Sequence, residues 1–147
     1  MKKSIVFLTF IVLALQVYSQ SSSEADRILG VWQTGSGKGR IHITRYGDKF
    51  GGKLVWLREP DDASGKPKLD EKNPDPEKRK LPKIGLNNLL GFNYAGSGKY
   101  ENGTIYDPEN GKTYKCVMQL ENENTLNVRG YIGFTLIGRT DTWTRVK

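Results

Sequence analysis

Apolar residues recur at every second position through much of this chain, and that period decides what the chain can become. In 113–120, Tyr114, Cys116, Met118 and Leu120 fall on one side of an extended backbone, with Lys115 and Gln119 on the other. Ile41 and Ile43 alternate in the same way with Arg40, His42 and Thr44. A period of two belongs to a strand with one buried and one wetted face, so the chain must assemble sheet rather than pack helices. The alternating segments are short, are separated by glycine, asparagine and proline, and leave no long stretch of helical periodicity. They predict strands at 29–34, 40–46, 49–57, 100–106, 113–120, 125–131 and 139–146, with 86–94 as an eighth that Gly91 interrupts.

The punctuation supports these boundaries. Gly47-Asp48 joins two strands tightly, and Asp107-Pro108-Glu109-Asn110-Gly111 has the composition of a turn that ends in a pair suited to positive φ. Seven or eight such strands favour a closed barrel or a sandwich over an open sheet, because closure removes exposed edges. One segment breaks the rhythm: 59–82 holds five of the six prolines, many charges, and only Ala63, Leu69 and Leu81 as apolar residues. It is expected to be one long surface excursion, either a solvated connection or a functional loop.

The first residues differ from all of this. Lys2 and Lys3 precede an apolar run from Ile5 to Val17 broken only by Thr9 and Gln16, and Val17-Tyr18-Ser19 offers a cleavage site. That is the pattern of a secretory signal peptide over 1–19, cut after Ser19. The run falls short of the roughly 20 residues that a spanning helix requires. No cysteine stands near the cut to carry a lipid. The organisation expected is therefore a signal peptide over 1–19 and a single domain over 20–147, secreted or periplasmic, with no transmembrane segment in the mature chain.

Charge and cysteine usage bound the function. The formal net charge of +7 falls to +5 without Lys2 and Lys3, and the remaining cations are mixed with acids, so no nucleic-acid footprint emerges. With Cys116 alone, the exported domain has no internal disulfide and relies on packing. Cys116 and His42 face opposite sides of their strands, so they do not form a nucleophile and base. They also fall short of a zinc ligand set. Oxygen clusters at Asp70, Asn73 and Asp75, or at Asp107, Glu109 and Asn110, lack the ligand count of a calcium loop. No catalytic residue, cofactor or metal is assigned, and an enzymatic role is left open with the balance against it.

Near the two ends, Gly30-Val31-Trp32 and Trp143-Thr144-Arg145 suggest first and last strands that meet, with Trp32 plugging a barrel end under the Arg145 guanidinium. Four segments together resemble the domain of unknown function 2147 family of exported bacterial proteins. They are Gly30-Val31-Trp32; Phe50-Gly51-Gly52-Lys53-Leu54-Val55-Trp56-Leu57 with Asp70-Glu71-Lys72-Asn73-Pro74-Asp75-Pro76; Gly103-Thr104-Ile105-Tyr106-Asp107-Pro108 with Gly111-Lys112-Thr113-Tyr114; and Val128-Arg129-Gly130-Tyr131-Ile132-Gly133 with Gly138-Arg139-Thr140 and Trp143-Thr144-Arg145. The resemblance implies an all-β fold, a small lipocalin-like antiparallel β-barrel of about eight strands with one long proline-rich loop, and supplies no mechanism.

Small barrels either hold a ligand or fill themselves with side chains. The aromatic residues Trp56, Tyr100, Tyr106 and Tyr114 are the expected lining of a site for a small, partly apolar ligand or an envelope component. Two other readings stand beside this one: an envelope protein that meets a partner through the 59–82 loop, and a hydrolase that uses carboxylates such as Asp70 and Asp141.

Overall fold

A computed structural model of the protein describes residues 24–134 and 137–147. The leader expected over 1–19 lies outside the described residues. Eight antiparallel strands follow one another around a closed barrel: β1 Gly30–Gln33, β2 Gly39–Tyr46, β3 Lys49–Leu57, β4 Asn87–Gly96, β5 Lys99–Asp107, β6 Lys112–Asn122, β7 Thr125–Tyr131 and β8 Gly138–Arg145. The segment at 86–94 is thus a full strand, and Gly91 adopts φ +75° within it.

Closure rests on the two ends of the chain. Trp32 pairs with Arg145 and Gln33 with Thr144 across β1 and β8. The Arg145 guanidinium lies 4.3 Å from the centroid of the fully buried Trp32 ring. From there it donates to the carbonyls of Leu29 (2.7 Å), Arg27 (2.6 Å) and Glu123 (2.5 Å). Trp32 donates its indole N–H to Ile28 O at 2.8 Å. A planar, always-charged donor set suits this place, since one side chain satisfies several backbone carbonyls while covering an aromatic face.

Because the strands run up and down, the connections sort onto two ends. The hairpins β2–β3, β4–β5 and β6–β7 share one end with the start of the described chain, where the 3-10 turn Asp26–Ile28 lies across the barrel. Tyr100 donates to Ala25 O at 2.6 Å, and Ile28 is fully buried beneath the turn. Phe50 meets Tyr100 edge-to-face at 5.2 Å, Tyr94 meets it at 5.1 Å, and Phe92, Met118, Leu120 and Leu126 complete a packed half. Burial pushes the Tyr100 hydroxyl above the ordinary tyrosine range and the Cys116 thiol up to about 12. Cys116 points inward and is fully buried, and His42 is exposed on the outer face.

The 59–82 excursion leaves from β3 and returns to β4 at the opposite end. Most of it is exposed, yet it is organised by a 3-10 turn at Lys78–Lys80 and by isolated bridges between Asp61 and Pro67 and between Leu69 and Pro82.

Candidate functional site

The second end of the barrel is hollow. A cavity of about 900 Å³ opens between the β1–β2, β3–β4, β5–β6 and β7–β8 connections. Its inner wall is apolar, with Ile41, Leu54, Leu57, Leu86, Ile105, Val128 and Trp143, and its mouth carries Lys38, Asp107, Glu109 and Arg139. Ile132 and Ile137 border the mouth, and beside them Phe134 stands 77% exposed. The two outcomes open to a small barrel thus coexist along one axis: the plugged half is filled and the other half is empty.

The strands place the four expected lining residues unevenly. Tyr114 lies at the mouth, and its hydroxyl accepts from the Asn110 side chain at 2.9 Å. Tyr106 borders the cavity but commits its hydroxyl to the loop, donating to Asp70 Oδ1 at 2.7 Å. Burial, with the Asp70 carboxylate beside it, pushes that hydroxyl above the ordinary tyrosine range. Two expectations need correction. Tyr100 is sealed in the packed half, held by Ala25 O, and does not reach the cavity. Trp56 lies outside the wall, with the Arg40 guanidinium 4.4 Å above its ring.

Both corrections have a local cause. Arg40 pairs with Trp56 but Ile41 pairs with Leu54, so Val55 is an extra residue that turns Trp56 outward. In β5 the register shifts between Tyr100 and Gly103, where Asn102 has φ 63°. Tyr100 and Tyr106 therefore lose the common face that alternation would give them.

A third bulge brings in a residue that the alternation assigned to no site. Gly52 pairs with Leu89 and Lys53 with Asn87, which leaves Asn88 as the extra residue of β4. Asn88 and Leu89 are both buried as a result, and Asn88 joins the cavity wall. An asparagine next to an inward leucine reads as solvent-facing by parity, so no signal in the sequence marks it.

The long loop frames this end. Asp70, only 3% exposed, accepts from Tyr106 and from Asn73 Nδ2 at 2.7 Å. Lys72 donates to Glu109 O at 2.6 Å, and Lys83 pairs with the Glu109 carboxylate at 3.3 Å. The oxygens considered for calcium thus bond within the loop and its turn: Asn73 Oδ1 accepts from Asp75 N, and Asp107 Oδ1 from Glu109 N. Among the described residues, no group of three or more histidines, cysteines or acids could hold a metal ion. The two carboxylates considered for hydrolysis have separate partners: Asp70 bonds Tyr106 and Asn73 and is not part of the cavity lining, whereas Asp141 lines the cavity and accepts from Trp143 Nε1 (2.8 Å) and Gly35 N (3.2 Å). No helix among the described residues is long and apolar enough to cross a membrane.

Comparison with known proteins agrees with this architecture. Residues 30–145 match the family described as uncharacterized protein conserved in bacteria (DUF2147). Among solved structures, the chain is similar to protein HP1028 from Helicobacter pylori, which is described as belonging to the lipocalin family. The TM-score is 0.72 and the identity 23%, over 82% of this chain and 83% of that one. No curated protein matches.

Proposed function

Since the chain belongs to the DUF2147 family of uncharacterized bacterial proteins, whose membership assigns no activity, we propose that the barrel is a binding module that takes a small, partly apolar molecule into its hollow end. The observation that carries this reading is the cavity of about 900 Å³ with an apolar wall and a polar, charged mouth. That size and that lining are typical of sites that enclose one small ligand, and burial of apolar surface provides the driving force. A lipocalin-like fold supports the same reading at the level of architecture only.

The neutral fluorophore N-phenyl-1-naphthylamine tests it. The wild type is expected to enhance its emission saturably. Gly130 lies in the cavity wall, and a Cβ there would first meet the Ile105 side chain at 3.3 Å. Gly130→Leu should occupy the space and weaken the fluorophore by about tenfold or more, equivalent to about 1.4 kcal/mol, in a protein whose circular dichroism shows it folded. No enhancement by the wild type, or equal binding by both proteins, would refute the reading.

We also propose that the barrel works outside the cytoplasm as a single mature domain over 20–147, on the strength of the basic and apolar residues over 1–19. N-terminal sequencing of protein recovered from the periplasm or medium should begin at Gln20, within a residue or two. Full-length protein retained in the cytoplasm would contradict it.

A further inference from the structure

The β7–β8 connection beside the mouth presents an apolar tip that the barrel does not cover. Ile132 is 65% exposed, Phe134 77% and Ile137 66%, the three most exposed large apolar side chains among the described residues. Backbone bonds shape the tip, with Ile137 N–H donating to Phe134 O at 2.9 Å and Ile132 N–H to Ile137 O at 3.1 Å. Three such side chains held in water forgo the gain of burial, and their gathering at one projecting point marks a surface that meets something apolar. Cations stand behind it. The mouth-side halves of β6, β7 and β8 carry Lys112, Lys115, Arg129 and Arg139, against Asp141 as the sole acid over 111–118 and 128–141. Asp141 lines the cavity and accepts from Trp143 and Gly35, while Asp107 and Glu109 on the neighbouring turn bond within that turn and to Lys83. Lys112, Lys115 and Arg139 are exposed and join no ion pair among the described residues.

We propose that this end of the barrel docks on an anionic lipid bilayer, with Ile132, Phe134 and Ile137 entering the acyl boundary and Lys112, Lys115, Arg129 and Arg139 lying among the headgroups. The order of residues along the hairpin favours a bilayer over a protein partner. Its turn carries the apolar side chains, the last rung of the ladder pairs Tyr131 with Gly138, and the next rungs bring Arg139 opposite Gly130 and Arg129 opposite Thr140. Lys115 lies opposite Tyr131 on the other side. Apolar side chain, then tyrosine, then cation is the sequence of layers from the acyl region of a membrane to its charged surface. Neither contribution is large alone, and reversible docking on a membrane takes both apolar insertion and attraction to anionic lipid. The proposal rests on this surface alone and goes beyond the reading of the cavity, whose mouth it sets against the lipid.

The test sediments the chain from Gln20 onward, which keeps every described residue, with vesicles of phosphatidylcholine alone or with about 30% phosphatidylglycerol. The wild type should bind the anionic vesicles about tenfold tighter than the neutral ones, and should lose that preference in about 0.5 M NaCl. Phe134→Ser removes an exposed ring from the tip, so it should weaken binding to the anionic vesicles about tenfold at an unchanged melting temperature. Lys112→Gln combined with Lys115→Gln should cut the preference for anionic vesicles by about threefold or more and leave binding to the neutral ones unchanged. A wild type that ignores both vesicles, equal binding to the two compositions, or anionic binding that either variant leaves intact would overturn the proposal. The first of these results would assign the tip to a protein partner. Fluorophore binding in vesicle-free solution reports the cavity separately, so either reading can fail without the other.

Discussion

Trp32→Ala should destabilise the barrel by about 4 kcal/mol in a chemical denaturation experiment, within the range for deleting a fully buried large aromatic side chain. Three losses coincide at this residue. The indole leaves a void at the seam, where its neighbours across β1 are Ile41 on one side and Arg145 on the other. Ile28 O loses the indole N–H that satisfies it, and an orphaned buried carbonyl costs about 1–3 kcal/mol by itself. Arg145 loses the ring on which it lies while it bridges Arg27, Leu29 and Glu123. A domain of this size is stable by only about 5–15 kcal/mol, so such a change threatens folding at physiological temperature. Trp56 supplies the control: it lies on the outer face against Arg40, and Trp56→Ala should cost about 1 kcal/mol or less. Equal losses at the two tryptophans would mean that the β1–β8 seam does not hold the barrel together.

Gly103→Ala should cost about 3 kcal/mol for a single added methyl group. Gly103 carries no positive φ, so the cost is steric rather than conformational. A Cβ at this position would lie 2.5 Å from three carbons of the Phe92 ring, which rests directly on the glycine backbone. Phe92 is fully buried in the packed half and has no free space into which to withdraw. If the ring is the obstacle, Phe92→Leu in the Gly103→Ala background should recover part of the loss. The double variant would then be more stable than the sum of the single changes predicts. Strict additivity would place the damage elsewhere, in the backbone of β5.

Much of the architecture was legible because alternation is a short-range signal that closure amplifies. Once Cys116, Met118 and Leu120 must face inward, their neighbours in β7 and β8 have little freedom, and the pairing of Trp32 with Arg145 follows from both ends needing a partner. The candidate site was less legible because bulges interrupt that same signal. Val55 turns Trp56 out of the wall, the shift between Tyr100 and Gly103 separates Tyr100 from Tyr106, and Asn88 is turned in. A bulge depends on the register between two strands, and register is a non-local property with no local composition to announce it. The role of the 59–82 segment was hidden for a related reason. Its exposed, proline-rich composition reads as solvated, while its attachment comes from residues distant in sequence, Asp70 meeting Tyr106 36 positions further along the chain and Lys72 meeting Glu109.

The division of the barrel into a stitched end and a hollow end separates two kinds of change that most proteins must trade against each other. Substitutions in the β3–β4, β5–β6 and β7–β8 connections fall at the opposite end from the ring cluster around Tyr100, and distant sites add independently. Lineages of such a barrel can therefore reshape the rim and the bulged wall while their tolerance of heat stays with the opposite pole.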